Sequence, residues 1–130
     1  AELVDGTNTW MVGPKTMEEH VIPCFEASGN YSPEIVAGMP IVLTNNIDHA
    51  KESIGKSLAV YGQLPSYRAM LDREGAVGPA DIAIIGDENK LGGEIKRLES
   101  LGVTDFNAAI MDVEDGSYHR TLEFLGSLRP

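Results

Sequence analysis

The sequence predicts an α/β protein built on a parallel sheet, and three observations carry that prediction. Strand-like and helix-like segments alternate along the chain in the order β-α-β-α-α-β-α. The run Glu34-Ile-Val-Ala-Gly-Met-Pro-Ile-Val-Leu-Thr44 is almost wholly apolar, the pattern of a strand covered on both faces rather than one. The segments between strands are long enough to hold helices, as right-handed crossovers between parallel neighbours require.

Taken in order, Ala1 to Val4 reads as the tail of a helix closed by Asp5-Gly6, with glycine just past the last turn. Thr7-Asn-Thr-Trp-Met-Val12 is rich in β-branched and aromatic residues and predicts a short strand, stopped by Gly13-Pro14. Thr16 offers an N-cap oxygen to a helix running to about Ala27, with Glu18 and Glu19 in its first turn and Pro23 expected to kink or shorten it. Ser28-Gly-Asn-Tyr-Ser-Pro33 is a loop by composition.

The central strand follows. Pro40 is awkward inside it, because proline cannot donate to a ladder, and a bulge beside Gly38 is the expected remedy. Asn46 or Asp48 caps the next helix, whose apolar face holds Ile47, Ala50, Ile54, Ser57, Leu58 and Tyr61. Pro65 opens a further helix with Tyr67, Met70 and Leu71 on its stripe, and Gly75 ends it. Asp81-Ile-Ala-Ile-Ile-Gly86 is either a short strand or a buried helical turn, which periodicity does not decide. Asp87 caps a helix with Leu91, Ile95, Leu98 and Leu101 on one face, closed by Gly102. Val103 to Ile110 is the third strand, and Ser117 to Leu128 is a last helix expected to pack through Tyr118, Leu122, Leu125 and Leu128.

At 130 residues the chain is at most one domain, and it is too short for a complete (β/α)₈ barrel of about 250 residues. A net charge of −10 argues against nucleic acid as a partner, since no basic patch is available to displace counterions from phosphates. Cys24 is the only cysteine, so no intramolecular disulfide argues for secretion, and its place between Pro23 and Phe25 predicts a packed small apolar residue. No apolar run spans a membrane and no signal pattern opens the chain, so a cytoplasmic location is expected. The first residues, Ala-Glu-Leu-Val-Asp-Gly, have the look of a cut end.

Parallel α/β proteins place their chemistry where strands end and loops begin. Three such rims are expected here: Thr9-Trp10-Met11 running into Gly13, Leu43-Thr44-Asn45, and Ala109-Ile110-Met111-Asp112. Trp10 is the only tryptophan, and its flat face suits a planar ring or an apolar substrate, although packing between sheet and helices is the plainer role. No phosphate-binding glycine loop follows a strand. His20, His49 and His119 lie on three different helices among polar neighbours and read as solvent-facing. Asp112, Glu114 and Asp115 read as a solvated loop, and Arg68 and Arg73 as partners of nearby Asp72 and Glu74.

Several segments together resemble the C-terminal part of the bacterial luciferase-like monooxygenase family, in its branch using the deazaflavin coenzyme F420. Asp5 to Thr16 is similar to the family's sixth strand and its Gly-Pro exit, and Gly38-Met-Pro-Ile-Val-Leu-Thr44 to its seventh. Tyr61 to Asp81 resembles the helical insertion before the eighth strand, and Asp81–Asp87 with Gly102-Val-Thr-Asp-Phe106 resembles the lead-in and the strand. The resemblance implies about three βα units of a TIM (β/α)₈ barrel, with residues 1–130 forming the C-terminal portion of one barrel domain. It implies hydride transfer between F420 and a small organic substrate, with no bound metal, in a parent that is a homo-oligomer. It places Thr9, Trp10, Met11 and Thr44 on the cofactor or substrate side, while the phosphate grip and catalytic residues lie upstream. Two other readings stay open: the same barrel using FMN in a monooxygenase reaction, and a non-enzymatic α/β interaction module.

Overall fold

The apolar run is the central strand of the sheet. In the computed structural model, which describes residues 1–128, β2 (Glu34–Leu43) is paired along its whole length, and every pairing is parallel. β1 (Gly6–Trp10) runs beside residues 34–38, and β3 (Ile84–Gly86) runs beside residues 41–43. β4 (Asp105–Ile110) pairs with residues 36–41. Because Val36 to Gly38 pair with both β1 and β4, and Ile41 with both β3 and β4, β1 and β3 share one edge of β2 and β4 takes the other. The hexapeptide that periodicity left undecided is therefore a fourth strand, held by three pairs.

Pro40 sits in this strand without a bulge: the register with β4 runs unbroken from Gly38 through Ile41. Thr104 donates to the Ile35 carbonyl and Met11 to the Gly38 carbonyl. Odd-numbered residues of β2 thus turn their backbone groups toward β4 and even-numbered ones toward β1 and β3. Pro40 faces the gap after Trp10, where β1 has ended, and before Ile84, where β3 begins. The missing N–H has no ladder partner to lose, which corrects the expected bulge.

Side chains of β2 alternate between two apolar clusters. Ile35, Ala37, Met39, Ile41 and Leu43 pack with Met17, Met70, Leu71, Leu91 and Leu98. Val42, with Ile85 of β3, packs instead against Ala50 and Ile54 of α3 (Ile47–Ser57). The remaining helices are α1 (Pro14–Thr16), α2 (Ile22–Ala27), α4 (Pro65–Glu74), α5 (Glu88–Ser100) and α6 (Ser117–Ser127). Asp87 caps α5 through the Lys90 amide at 2.9 Å, and Gly75 ends α4 in the left-handed conformation, both as the sequence predicts.

Other expectations are corrected. Residues 2–3 form a turn, not the tail of a helix, and Leu3 is almost fully exposed. Gly13, not Thr16, is the N-cap of α1, and the capping oxygens come from afar: the Glu74 carboxylate accepts the Thr16 amide at 2.5 Å and the Lys15 amide at 3.4 Å. A β-carbon at Gly13 would overlap that carboxylate, so a larger residue there would displace Glu74 from the two amides. Between α1 and α2 the helix widens into a π turn over Met17–Val21, with the Ile22 amide reaching back to the Met17 carbonyl. Pro23 just beyond has no N–H for the usual bond and its ring needs the room, so the helix is wound differently rather than ended. Cys24 is exposed, contrary to the packed role expected of it. On α6 the buried residues are Ser117 and Thr121, whereas Tyr118, Leu122 and Leu128 stand 43–48% exposed.

Candidate functional site

The C-terminal ends of β1, β2 and β4 carry the groups with chemical potential, and they form two separate clusters. The first is aromatic. Trp10 ends β1 beside Gly38 of β2, and Gly38 in turn pairs with Asn107 of β4. Parallel partners turn their side chains to the same face, so Trp10, the bare Gly38 and Asn107 form one row across the sheet. A β-carbon at Gly38 would lie 2.7 Å from the Thr9 carbonyl oxygen and 3.2 Å from the Trp10 ring, so only glycine lets the indole lie there.

Behind Trp10 stand two tyrosines from the segment after α3. Tyr61 meets the indole edge-on with ring centroids 6.2 Å apart, and Tyr67 of α4 meets Tyr61 at 4.8 Å. Trp10, Val12, Ser66, Tyr67 and Met70 line a cavity of about 250 Å³. The indole Nε1 is buried and has no partner, an uncommon state for a donor in a folded protein.

The second cluster is polar and ties the ends of β2 and β4 together. Thr44 is fully buried; its hydroxyl donates to Glu114 Oε1 at 2.5 Å and accepts the Asn46 amide at 3.0 Å. Ser117, also fully buried, accepts the amides of Val113 and Glu114 and donates to Asp112 Oδ1. Thr121 Oγ1 accepts the Leu43 amide at 2.9 Å and donates to the Ser117 carbonyl. The His49 ring nitrogen Nε2 lies 3.0 Å from the Val113 carbonyl oxygen. Asp112 and Glu114 are thus engaged with buried hydroxyls, more than the solvated loop the sequence suggests. Glu52 is held below the usual carboxylate range by the hydrogen bond and charge of Lys56, on the exposed side of α3.

The four residues singled out from sequence do not form one cluster. Trp10 heads the aromatic cluster, and Thr44 belongs to the polar one. Thr9 points to the other face from Trp10, its hydroxyl donating to the Val36 carbonyl at 3.2 Å. Met11 is fully buried with φ 57°, turning the chain out of β1 while its amide donates to Gly38 at 2.8 Å. Sequence reasoning missed Gly38, Tyr61 and Tyr67 as companions of Trp10, and Glu114 as the partner of Thr44. A strand glycine opposite a lone tryptophan was the available signal for the first.

These features define a parallel α/β protein with its polar and aromatic groups gathered at the strand ends. No protein-family model matches the chain, and no curated protein matches it. One solved structure does: an F420-dependent secondary alcohol dehydrogenase in complex with an F420–acetone adduct, at 18% identity and a TM-score of 0.65. The match covers 97% of this chain and 43% of that one, so the chain shares its fold over less than half of the dehydrogenase's length. Among the described residues no helix is long and apolar enough to cross a membrane.

Trp10, beside the bare Gly38, offers a flat wall for a ring and an unpaired donor at its edge. The cavity beside it, about 250 Å³, is below the usual size of a whole ligand pocket. It suits one wall of such a site rather than the complete site.

Proposed function

We propose that this chain is the C-terminal portion of a luciferase-like (β/α)₈ oxidoreductase that uses coenzyme F420. The observation that carries the reading is the structural match itself, nearly complete over this chain and less than half of an F420-dependent dehydrogenase. Five sequence segments resembling that family in order, Asp5 to Phe106, support it independently. Bound F420 supplies a deazaflavin ring that takes or gives a hydride. The chain's own part is positional: Trp10 walls the ring or the substrate, Gly38 keeps the space beside it clear, and Tyr61 and Tyr67 fix the indole's angle. Thr44, locked to Glu114, braces the rim between β2 and β4. The parent acts as a homo-oligomer on a small organic substrate.

The test is made on the full-length parent. Alcohol-dependent reduction of F420, with no turnover when FMN and oxygen replace it, is the expected outcome. Substrate-dependent oxygen consumption with FMN would overturn the cofactor assignment and favour the monooxygenase reading. Activity with neither would leave the α/β interaction module as the better account.

A further inference from the structure

A groove of about 370 Å³ opens in the helical layer, between α4, α5 and the segment that joins α4 to β3. Met39 faces it from β2, and no residue of β1 or β4 lines it, so the groove does not involve the outer edges of those strands. Its floor is apolar: Met39, Ile82, Ile84 and Leu98 are all buried. Its wall at residues 76–81 is pinned from two sides. Arg68 donates to the carbonyls of Ala76 at 2.7 Å and Val77 at 2.9 Å. Asp81 Oδ2 accepts the amides of Val77 at 3.0 Å and Gly78 at 3.3 Å. A volume in the range of small-molecule sites, an apolar floor and a fixed wall together suit a bound ligand.

The charges in the groove narrow the kind of ligand. Three of the chain's ten lysines and arginines line it, together with three carboxylates. Five of these six groups already have partners. Glu74 accepts the Lys15 and Thr16 amides, Lys90 pairs with Glu94 at 2.7 Å, and Asp81 lies 3.8 Å from Lys51. Arg97, on the next turn of α5 after Glu94, has no side-chain hydrogen bond or ion pair among the described residues. We propose that this groove binds a small monocarboxylate with an apolar body, its carboxylate forked on the Arg97 guanidinium and its body laid on Met39, Ile82, Ile84 and Leu98. A guanidinium presents parallel N–H donors that match a planar carboxylate. One unpaired positive charge calls for one negative charge, and the three neighbouring carboxylates penalise a second. The apolar floor rewards a body that a hydrated inorganic anion lacks. Met39 and Gly38 are consecutive in β2 and face opposite sides of the sheet, so this site is separate from the aromatic one. The inference stands apart from the oxidoreductase reading.

Titration of the 130-residue chain with benzoate, followed by two-dimensional NMR of the backbone amides and arginine Nε–H groups, tests it. Saturable shifts at Ala76, Ile82, Leu98 and the Arg97 side chain are expected, with the Trp10 indole signal unmoved. The dissociation constant expected for so small a ligand is about 0.1–1 mM. Benzamide keeps the body without the charge, and acetate keeps the charge without the body. Each is expected to bind at least about tenfold more weakly than benzoate. Arg97 is exposed, so its replacement leaves the core intact, and the amide spectrum of each variant reports its fold. Arg97→Gln is expected to lose at least about tenfold in benzoate affinity, and Arg97→Lys, with the charge but not the fork, to fall between. The absence of saturable shifts up to about 20 mM benzoate, well above the expected constant, would overturn the proposal. So would shifts centred on Trp10, equal binding of benzamide, acetate or inorganic phosphate, or an Arg97→Gln variant that binds benzoate as the wild type does.

Discussion

Thr121→Val removes one atom group from the point where α6 meets the sheet. The Thr121 hydroxyl is fully buried and accepts the Leu43 amide at 2.9 Å. Leu43 is itself only 3% exposed, so water cannot replace the lost acceptor. Stranding a buried amide costs about 1–3 kcal/mol. Valine returns part of this, because a methyl in place of the hydroxyl carries no desolvation penalty. The Ser117 carbonyl, which the hydroxyl also reaches, keeps its helical partner and adds little. The net expectation is a loss of about 1–2 kcal/mol, or roughly 3–10 °C in Tm for a domain of this size. Urea unfolding at a fixed, low protein concentration reads the stability, and amide exchange at Leu43 reads the cause. The valine variant should speed Leu43 exchange more than that of Val42, and Thr121→Ser, which keeps the hydroxyl, should not. Wild-type stability with unchanged Leu43 exchange would refute the role given to this hydroxyl.

Gly38→Ala should lose about 1–3 kcal/mol, since its methyl meets the Thr9 carbonyl at 2.7 Å and the indole at 3.2 Å. The emission of Trp10, the only tryptophan, should shift with it; a neutral variant with unchanged emission would mean the indole does not rest there. Glu74→Ala should cost about 0.5–2 kcal/mol by uncapping α1 across 58 residues of sequence, measured by urea unfolding, and Glu74→Gln should recover most of it. In the longer enzyme proposed above, Trp10→Ala should lower turnover while the melting temperature stays near wild type. Equal loss of both would assign Trp10 to packing alone.

The fold was legible where periodicity and caps agree. The uninterrupted apolar run of β2, the Asp87 cap and the Gly75 stop each follow from local chemistry, and each is found. What escaped the sequence depends on partners distant along the chain. Glu74 caps α1 from α4, and no local pattern links residue 74 to residue 16. The tolerance of Pro40 depends on where β1 stops and β3 starts, which only the register reveals. α6 departs from its expected packing because the sheet takes the Thr121 hydroxyl and the loop before the helix takes that of Ser117; of the expected stripe Leu125 packs against the core, while Tyr118, Leu122 and Leu128 stay exposed. The candidate site was half visible. A lone tryptophan at a strand end is a local signal, but the glycine across the strand and the tyrosines some fifty residues later are assembled by the fold.

The most direct test of the account is to read the coding frame upstream of Ala1. The account predicts a continuous frame of roughly 150 further residues in strand–helix units, completing a barrel. A stop or a start codon immediately before Ala1 would make this a free-standing α/β domain, and the F420 oxidoreductase assignment would fall.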